Sequence, residues 1–262
     1  MHPVLFNLWK YPVYSWGLSL AVAFVVGTVY AATTGKKRGV DPDNVIDLAL
    51  FACIASIIGA RLLYILLNIG SYIDYPVSVF YMRDGGLSYF GGLGAGIGIG
   101  VLYCRKQKIS IGKMADVAAP AVTIGYAIVR IGCLLNGCCY GHLSEVPWAL
   151  AAGPGDMLRH PTQLYAAISS VIIFFLLKAA EPKKRFEGQI LWLYVGLYSA
   201  ARFIVEFWRV GTRDYFAPFT ATQIVCVLLA VLAFGVIRVK AARTATPIEP
   251  GMPGAKGPSA RA

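Results

Sequence analysis

Seven apolar runs, near residues 14–34, 45–68, 86–104, 117–136, 164–180, 188–206 and 221–239, take up most of this chain. A bilayer core of about 30 Å is crossed by about 20 apolar residues in helical form, and a helix survives there because it satisfies its own backbone. Runs of that length leave little sequence from which to build a soluble domain. The composition agrees, since 57% of residues are apolar and 14% charged, against about 25% charged in soluble proteins. The expected fold class is therefore an all-α polytopic membrane protein with about seven transmembrane helices. Residues 1–240 form one transmembrane domain in this reading, and the Pro/Gly-rich segment 241–262 is a disordered cytoplasmic tail.

The chain carries a formal net charge of +11, which raises nucleic acid as a partner. The placement of the basic residues argues against it. With the N-terminus outside, sixteen Lys and Arg fall on inner loops and the tail, among them Lys36, Lys37, Arg38, Arg105, Lys106, Lys183, Lys184 and Lys240, while five, including Lys10, Arg159 and Arg209, fall outside. This is the asymmetry that orients membrane proteins, so the charge is spent on topology: N-out, C-in, with an extracytoplasmic loop region around 137–163. The first span is long and lacks a basic leader, so it is not expected to be cleaved. The aromatic and proline-bearing residues 1–13 suit a short helix or loop at headgroup level.

Three arginines, Arg61, Arg130 and Arg202, lie inside the runs. A charge at the centre of a bilayer helix costs about 2.5–3.5 kcal/mol on insertion scales, so it is kept where it faces a polar cavity or a partner. Arg130 opens the densest polar block, R-I-G-C-L-L-N-G-C-C-Y-G-H, ending at His142. Arg202 and Glu206 stand four apart on one helix face and can pair. Between Gly85 and Gly100 eight of sixteen residues are glycine. The later ones suit close helix packing, whereas Gly85, Gly86, Gly91 and Gly92, around Ser88 and Tyr89, suggest unwound backbone whose N–H groups hold an anion. Asp116 reads as a helix-start residue and Pro120 as a first-turn proline. His160, beside Pro161 at a helix start, is either a base or a hydrogen-bonding partner.

Of the six cysteines, Cys53, Cys104 and Cys226 read as filler. Cys133, Cys138 and Cys139 fall at the outer surface, where several readings stay open: apolar filler, an extracytoplasmic disulfide, nucleophiles or a redox pair activated beside Arg130, or a metal site. The metal reading is the weakest, because His142 alone stands nearby as a fourth ligand and C-x4-C-C is not a usual ligand spacing. No metal and no cofactor is expected.

Taken together, six ordered blocks resemble the prolipoprotein diacylglyceryl transferase family: Gly59 to Leu62, Asp84 to Leu93, Asp116 to Pro120, Arg130 to Gly132 with Asn136, Gly137 and Gly141, Arg159 to Tyr165, and Arg202 to Phe207 with Gln223. The resemblance covers most of residues 14–235 and implies seven spans with the N-terminus outside. It also implies a location in the bacterial plasma (inner) membrane and a reaction in which a prolipoprotein's lipobox cysteine attacks the glyceryl carbon of phosphatidylglycerol. The partners implied are phosphatidylglycerol, a lipobox-bearing signal peptide and membrane lipids, with no nucleic acid. Arg130, Arg202, Glu206 and Cys138 are the expected catalytic groups. Arg61, Gly86, Ser88, Tyr89, Gly91, Gly92, Asn136, Gly141, His160, Gln163 and Tyr165 are the expected substrate-binding ones.

The chain departs from the family pattern at the proton-handling positions. Phe90 stands where the enzymes usually have a histidine, Trp16 where they have a tyrosine, Cys133 for an asparagine and Cys138 for a glutamate. The arginines and Glu206 remain. A relative that binds lipid without catalysis, or that transfers to another acceptor, is the competing expectation.

Overall fold

The computed structural model describes residues 2–9, 11–73, 86–153, 155, 157–210, 214–216 and 219–245. Asp84 and Gly85, quoted above for the resemblance, and residues 246–262 lie outside them. Among the described residues eight α-helices run in order: α1 (Ser15–Lys37), α2 (Pro42–Leu67), the short α3 (Ile69–Ile73), α4 (Tyr89–Lys106), α5 (Ile111–Asn136), α6 (Thr162–Ala180), α7 (Gln189–Glu206) and α8 (Ala221–Ala245). Five of them, α1, α2, α5, α6 and α8, are long and apolar enough to cross a membrane. The other two long helices, α4 and α7, have 18 residues each, about 27 Å at 1.5 Å per residue. They coincide with the glycine-rich run and with the run that carries Arg202. Helix α8 continues to Ala245, past the expected start of the tail.

The distribution of side chains is inverted relative to a soluble protein. Ile54, Ile57, Ile58, Leu228, Val231 and Leu232 face outward, while Asp116, Thr123, Gln163, Ser170, Ser199, Glu206 and Gln223 are buried. Apolar exteriors of this kind belong against acyl chains.

Small residues set the helix pairings. Helix α1 packs on α5 and α2 on α4. A methyl group at Gly132 would run into Ser19, and one at Gly91 would run into the Gly59 carbonyl and lie 2.6 Å from Leu63 Cβ. Gly91 and Gly92 are therefore helical packing glycines of α4, not part of an unwound loop. The expected non-helical backbone is confined, among the described residues, to Gly86–Ser88. There Gly86 takes φ +83°, and the Ser88 N–H donates to the Ala60 carbonyl at 2.9 Å.

Three two-stranded hairpins among the described residues interrupt the all-α expectation: β1 (Val4–Leu8) with β2 (Tyr11–Tyr14), β3 (Leu150–Ala151) with β4 (Leu158–Arg159), and β5 (Asp214–Phe216) with β6 (Phe219–Thr220). Their strands are too short for a hydrophobic period to reveal. The first of them replaces the expected headgroup helix or loop and is tied to the bundle by the His2 N–H, which donates to the Leu135 carbonyl at 2.9 Å.

Helix α5 is the axis of the molecule. It starts at Ile111, six residues before the apolar run, because Ser110 caps it by accepting from the Lys113 N–H at 3.4 Å. Asp116 and Pro120 are thus helix-interior residues, which corrects the reading of them as start signals. Asp116 does cap a helix, but a different one. Its fully buried carboxylate accepts from the N–H groups of Gly188 (2.9 Å), Ile190 (2.8 Å) and Leu191 (3.2 Å) at the start of α7, and pairs with Lys184 at 3.3 Å. Arg38 donates to the Asp116 carbonyl at 2.9 Å and pairs with Glu181, which also binds Lys178. Charge at a helix N-terminus and satisfied orphan donors both favour α7 there.

Candidate functional site

The opposite end of α5 carries the second polar cluster. Arg130 from α5, Arg202 from α7 and Arg209, three residues past the end of α7, line one pocket with Tyr126, Tyr198, Thr162, Ser169, Ser170 and Cys139. Each arginine is positioned differently. Arg130 lies over the Tyr126 ring at 4.6 Å, and that ring meets Tyr198 edge-on at 5.4 Å. Arg202 is paired with Glu206, whose side chain is fully buried. Arg209 donates to the Cys139 sulfur at 3.9 Å.

Among the described residues Arg130 has no carboxylate partner, and its buried Nε has no hydrogen-bond acceptor within the protein. Three guanidinium groups against one carboxylate leave the pocket with net positive charge, in surroundings where solvent screens little. Such a site takes an anion. Guanidinium groups present paired N–H donors that match phosphate oxygens, and Ser170 lines the same pocket.

The loop that closes the pocket is built by the chain's turn chemistry. Helix α5 ends at Asn136 with Gly137 in the left-handed region (φ +72°), and the Cys138 N–H returns to the Cys133 carbonyl at 3.1 Å, a Schellman ending. Cys139 also has positive φ, +62°. The start of α6 fastens this loop: Thr162 Oγ1 donates to the Cys139 carbonyl and Gln163 Nε2 to the Cys138 carbonyl, both at 2.7 Å. Gly141 pairs with Arg209 and His142 N–H donates to the Trp208 carbonyl at 2.9 Å, tying the loop to the end of α7. A methyl on Gly141 would lie 2.8 Å from the His160 Cβ and strike the Trp208 carbonyl.

The expected site residues thus divide. Arg130, Arg202 and the Glu206 carboxylate come together. Asn136, Gly141 and Gln163 shape the loop behind them. His160 Nδ1 lies 3.1 Å from the Tyr165 hydroxyl, which also accepts from Trp148 Nε1 at 2.8 Å, in an aromatic cluster with Trp208. Its partners are those of a structural histidine, and it does not line the pocket. Arg61 is buried in α2, where its Nη1 donates to the Gly86 carbonyl at 3.1 Å. It pins the segment that leads through Gly86 and Ser88 into α4. Tyr89 and Phe90 at the start of α4 are exposed, with their rings 5.6 Å apart.

Cys138 turns toward the Cys133 carbonyl at 3.7 Å, and Cys139 is the cysteine that reaches the pocket. Hydrogen bonds from the Cys133 and Cys138 thiols, with the positive fields of Arg130 and Arg209, hold the Cys139 thiol far below its ordinary range. Cys138 moves the other way: its bond with Cys133 favours the thiolate, but its bond with Cys139 and its burial outweigh that.

Arg209, Thr162 and the Tyr126–Tyr198 pair are the site residues that the sequence reading missed. A signal existed for Arg209, since positions 202, 206 and 209 share a helical face. The residue lies past the end of the apolar run, which hides it.

The family model described as prolipoprotein diacylglyceryl transferase matches residues 3–239. Three proteins, each named phosphatidylglycerol–prolipoprotein diacylglyceryl transferase, are similar over most of their length. That of Clostridium tetani is 30% identical over 244 residues, 91% of this chain and 98% of that protein. That of Geobacter sulfurreducens is 34% identical over 79% of this chain and 82% of its own. That of Idiomarina loihiensis is 35% identical over 79% and 80%.

Proposed function

The chain belongs to the prolipoprotein diacylglyceryl transferase family, and we propose that it carries out the transfer for which those relatives are named. It moves a diacylglyceryl group from phosphatidylglycerol to the thiol of a prolipoprotein's lipobox cysteine. One observation carries this reading beyond the likeness itself. Arg130, Arg202 and Arg209 converge on one pocket inside a bundle whose exterior is apolar, which is the arrangement needed to hold a phosphate headgroup while its acyl chains stay in lipid.

The chemistry follows from the charges. The substrate sulfur forms a bond to the glyceryl carbon as the carbon–oxygen bond breaks, and the electron pair leaves on the oxygen of glycerol phosphate. The product is a thioether. Negative charge gathers on the departing group, so Arg130 and Arg202 act as preorganised donors to it. The buried Glu206 carboxylate fixes the Arg202 guanidinium, and Arg209 adds a third cation. Tyr126, under Arg130, keeps that side chain in place by a cation–π contact.

The family's usual histidine position holds the exposed Phe90. A general base contributes about 10²- to 10⁴-fold to a rate, so its loss lowers turnover without abolishing it. The test is complementation of a bacterial strain depleted of its own transferase, read as restored growth and restored lipoprotein modification. If the chain is made, reaches the membrane and restores neither, while the purified protein still binds phosphatidylglycerol, the lipid-binding reading replaces this one.

Seven spans with the N-terminus outside, in the bacterial inner membrane, complete the proposal, with residues 1–240 as the transferase unit. The sixteen-to-five basic asymmetry supports that orientation. A reporter fused after Lys240 is expected to report a cytoplasmic C-terminus. Activity of the reporter solely on the outer face would reverse the orientation.

A further inference from the structure

The sulfur atoms of Cys133, Cys138 and Cys139 all lie within 4.8 Å of one another, and all three are free thiols. The fold goes to some length to bring them there. Cys133 is buried in the last turn of α5, the Schellman ending folds Cys138 back over it, and the left-handed backbone of Cys139 directs a third sulfur into the same space. Thr162 and Gln163 then clamp the two carbonyls of that turn. Apolar filling of a helix end needs none of this.

The spacing fits a soft cation. Zinc bound by thiolates at about 2.3 Å with tetrahedral angles holds its sulfurs about 3.8 Å apart, so each sulfur has to move by well under 1 Å. The surrounding charge fits as well. Three thiolates around a divalent cation carry a net charge of −1, and Arg130 and Arg209 stand beside Cys139 to offset it. No fourth His, Cys, Asp or Glu joins the group among the described residues. In particular His142, the fourth ligand considered from sequence, does not belong to it. Zinc sites with three protein ligands leave the fourth position to water or substrate.

We propose that Cys133, Cys138 and Cys139 bind one divalent cation of the zinc class, whose fourth position takes the thiol of the incoming substrate cysteine. This rests on the transfer reading above and supplies the group that Phe90 leaves missing. A thiol that coordinates such an ion gives its proton to water and stays as thiolate. Its sulfur then forms the bond to the glyceryl carbon, the carbon–oxygen bond breaks, and the electron pair leaves with glycerol phosphate. The thioether formed is neutral and a weaker donor than the thiolate, so the product is released from the metal.

The full-length protein, purified in detergent under reducing conditions and stripped with chelator, is titrated with Co²⁺ and then with Zn²⁺. The expected result is one equivalent of Co²⁺ per chain with a thiolate-to-cobalt charge-transfer band, displaced by Zn²⁺. The band is expected to be absent in Cys133→Ser and in the triple variant Cys133→Ala, Cys138→Ala, Cys139→Ala. Adding a lipobox peptide is expected to change the cobalt spectrum of the parent, and replacing its cysteine by serine to remove that change. Transfer from labelled phosphatidylglycerol is expected to fall at least tenfold on stripping and to return with Zn²⁺. If the parent binds neither ion above the level of the triple variant yet transfers lipid, the metal site is overturned and the transferase reading stands. If the parent binds one equivalent but the peptide leaves the cobalt spectrum unchanged, the thiol-activating role is overturned. If the loaded parent transfers no lipid, the transferase reading fails with it.

Discussion

Arg130→Lys and Arg202→Lys are each expected to lower diacylglyceryl transfer about 10²- to 10³-fold, the usual cost of removing one preorganised donor from a developing negative charge. Lysine keeps the charge but not the fork of N–H groups, and its compact ammonium is more strongly hydrated. The loss is expected mainly in kcat, because the charge on the departing phosphate is greater in the transition state than in bound substrate. Arg202→Lys carries a second effect, since Glu206 is buried and loses the guanidinium it pairs with. Thermal stability is therefore measured alongside, and Arg130→Lys, with no carboxylate to abandon, separates catalysis from folding. Lys106→Arg, at the exposed end of α4, is expected to leave the rate within twofold of the parent. Unchanged transfer in both arginine variants would remove the phosphate-clamp role.

Asp116→Ala is expected to be the most damaging single change to stability, at about 3–5 kcal/mol, the range for breaking a buried charged pair. The substitution strips the acceptor from the N–H groups of Gly188, Ile190 and Leu191 and leaves Lys184 without its partner. Asp116→Asn keeps one acceptor oxygen and loses the charge, so it is expected to cost about half as much. The measurement is the midpoint of thermal unfolding in detergent. Equal midpoints for parent and Asp116→Ala would mean that α7 is held by packing alone.

The sequence made the helices legible because each apolar run is as long as a membrane is thick. Arg130, Arg202 and Glu206 were legible for a related reason: nothing but function or a partner keeps a charge in such a run. What stayed hidden depends on contacts between distant parts of the chain. Asp116 looked like the start of its own helix because the residues it caps are more than seventy positions away. Gly91 and Gly92 looked like part of an anion-binding loop because glycine serves both unwound backbone and close helix packing, and the Gly59 carbonyl that decides between them lies on α2. The surroundings of His160 are hidden for the same reason, because Trp208, which packs near its ring, lies far along the chain. Cys139 rather than Cys138 lines the pocket, with its backbone in the left-handed region, which no residue pattern reports.

The Asp116 cap also acts as a gauge of length. Helices α5 and α7 run in the same direction, and the carboxylate fixes where α7 begins relative to α5. From Asp116 to Arg130 is fourteen residues, and from Gly188 to Arg202 is fourteen as well, so each arginine stands about 21 Å from the shared starting line. Equal counts along parallel helices bring the two guanidinium groups to one depth in the membrane without any direct contact between them. Inserting or deleting a single residue in either segment would rotate one arginine by about 100° and shift it by about 1.5 Å. A matching insertion in both would restore the common depth but not the clamp, because each arginine would still be turned by about 100° away from the pocket.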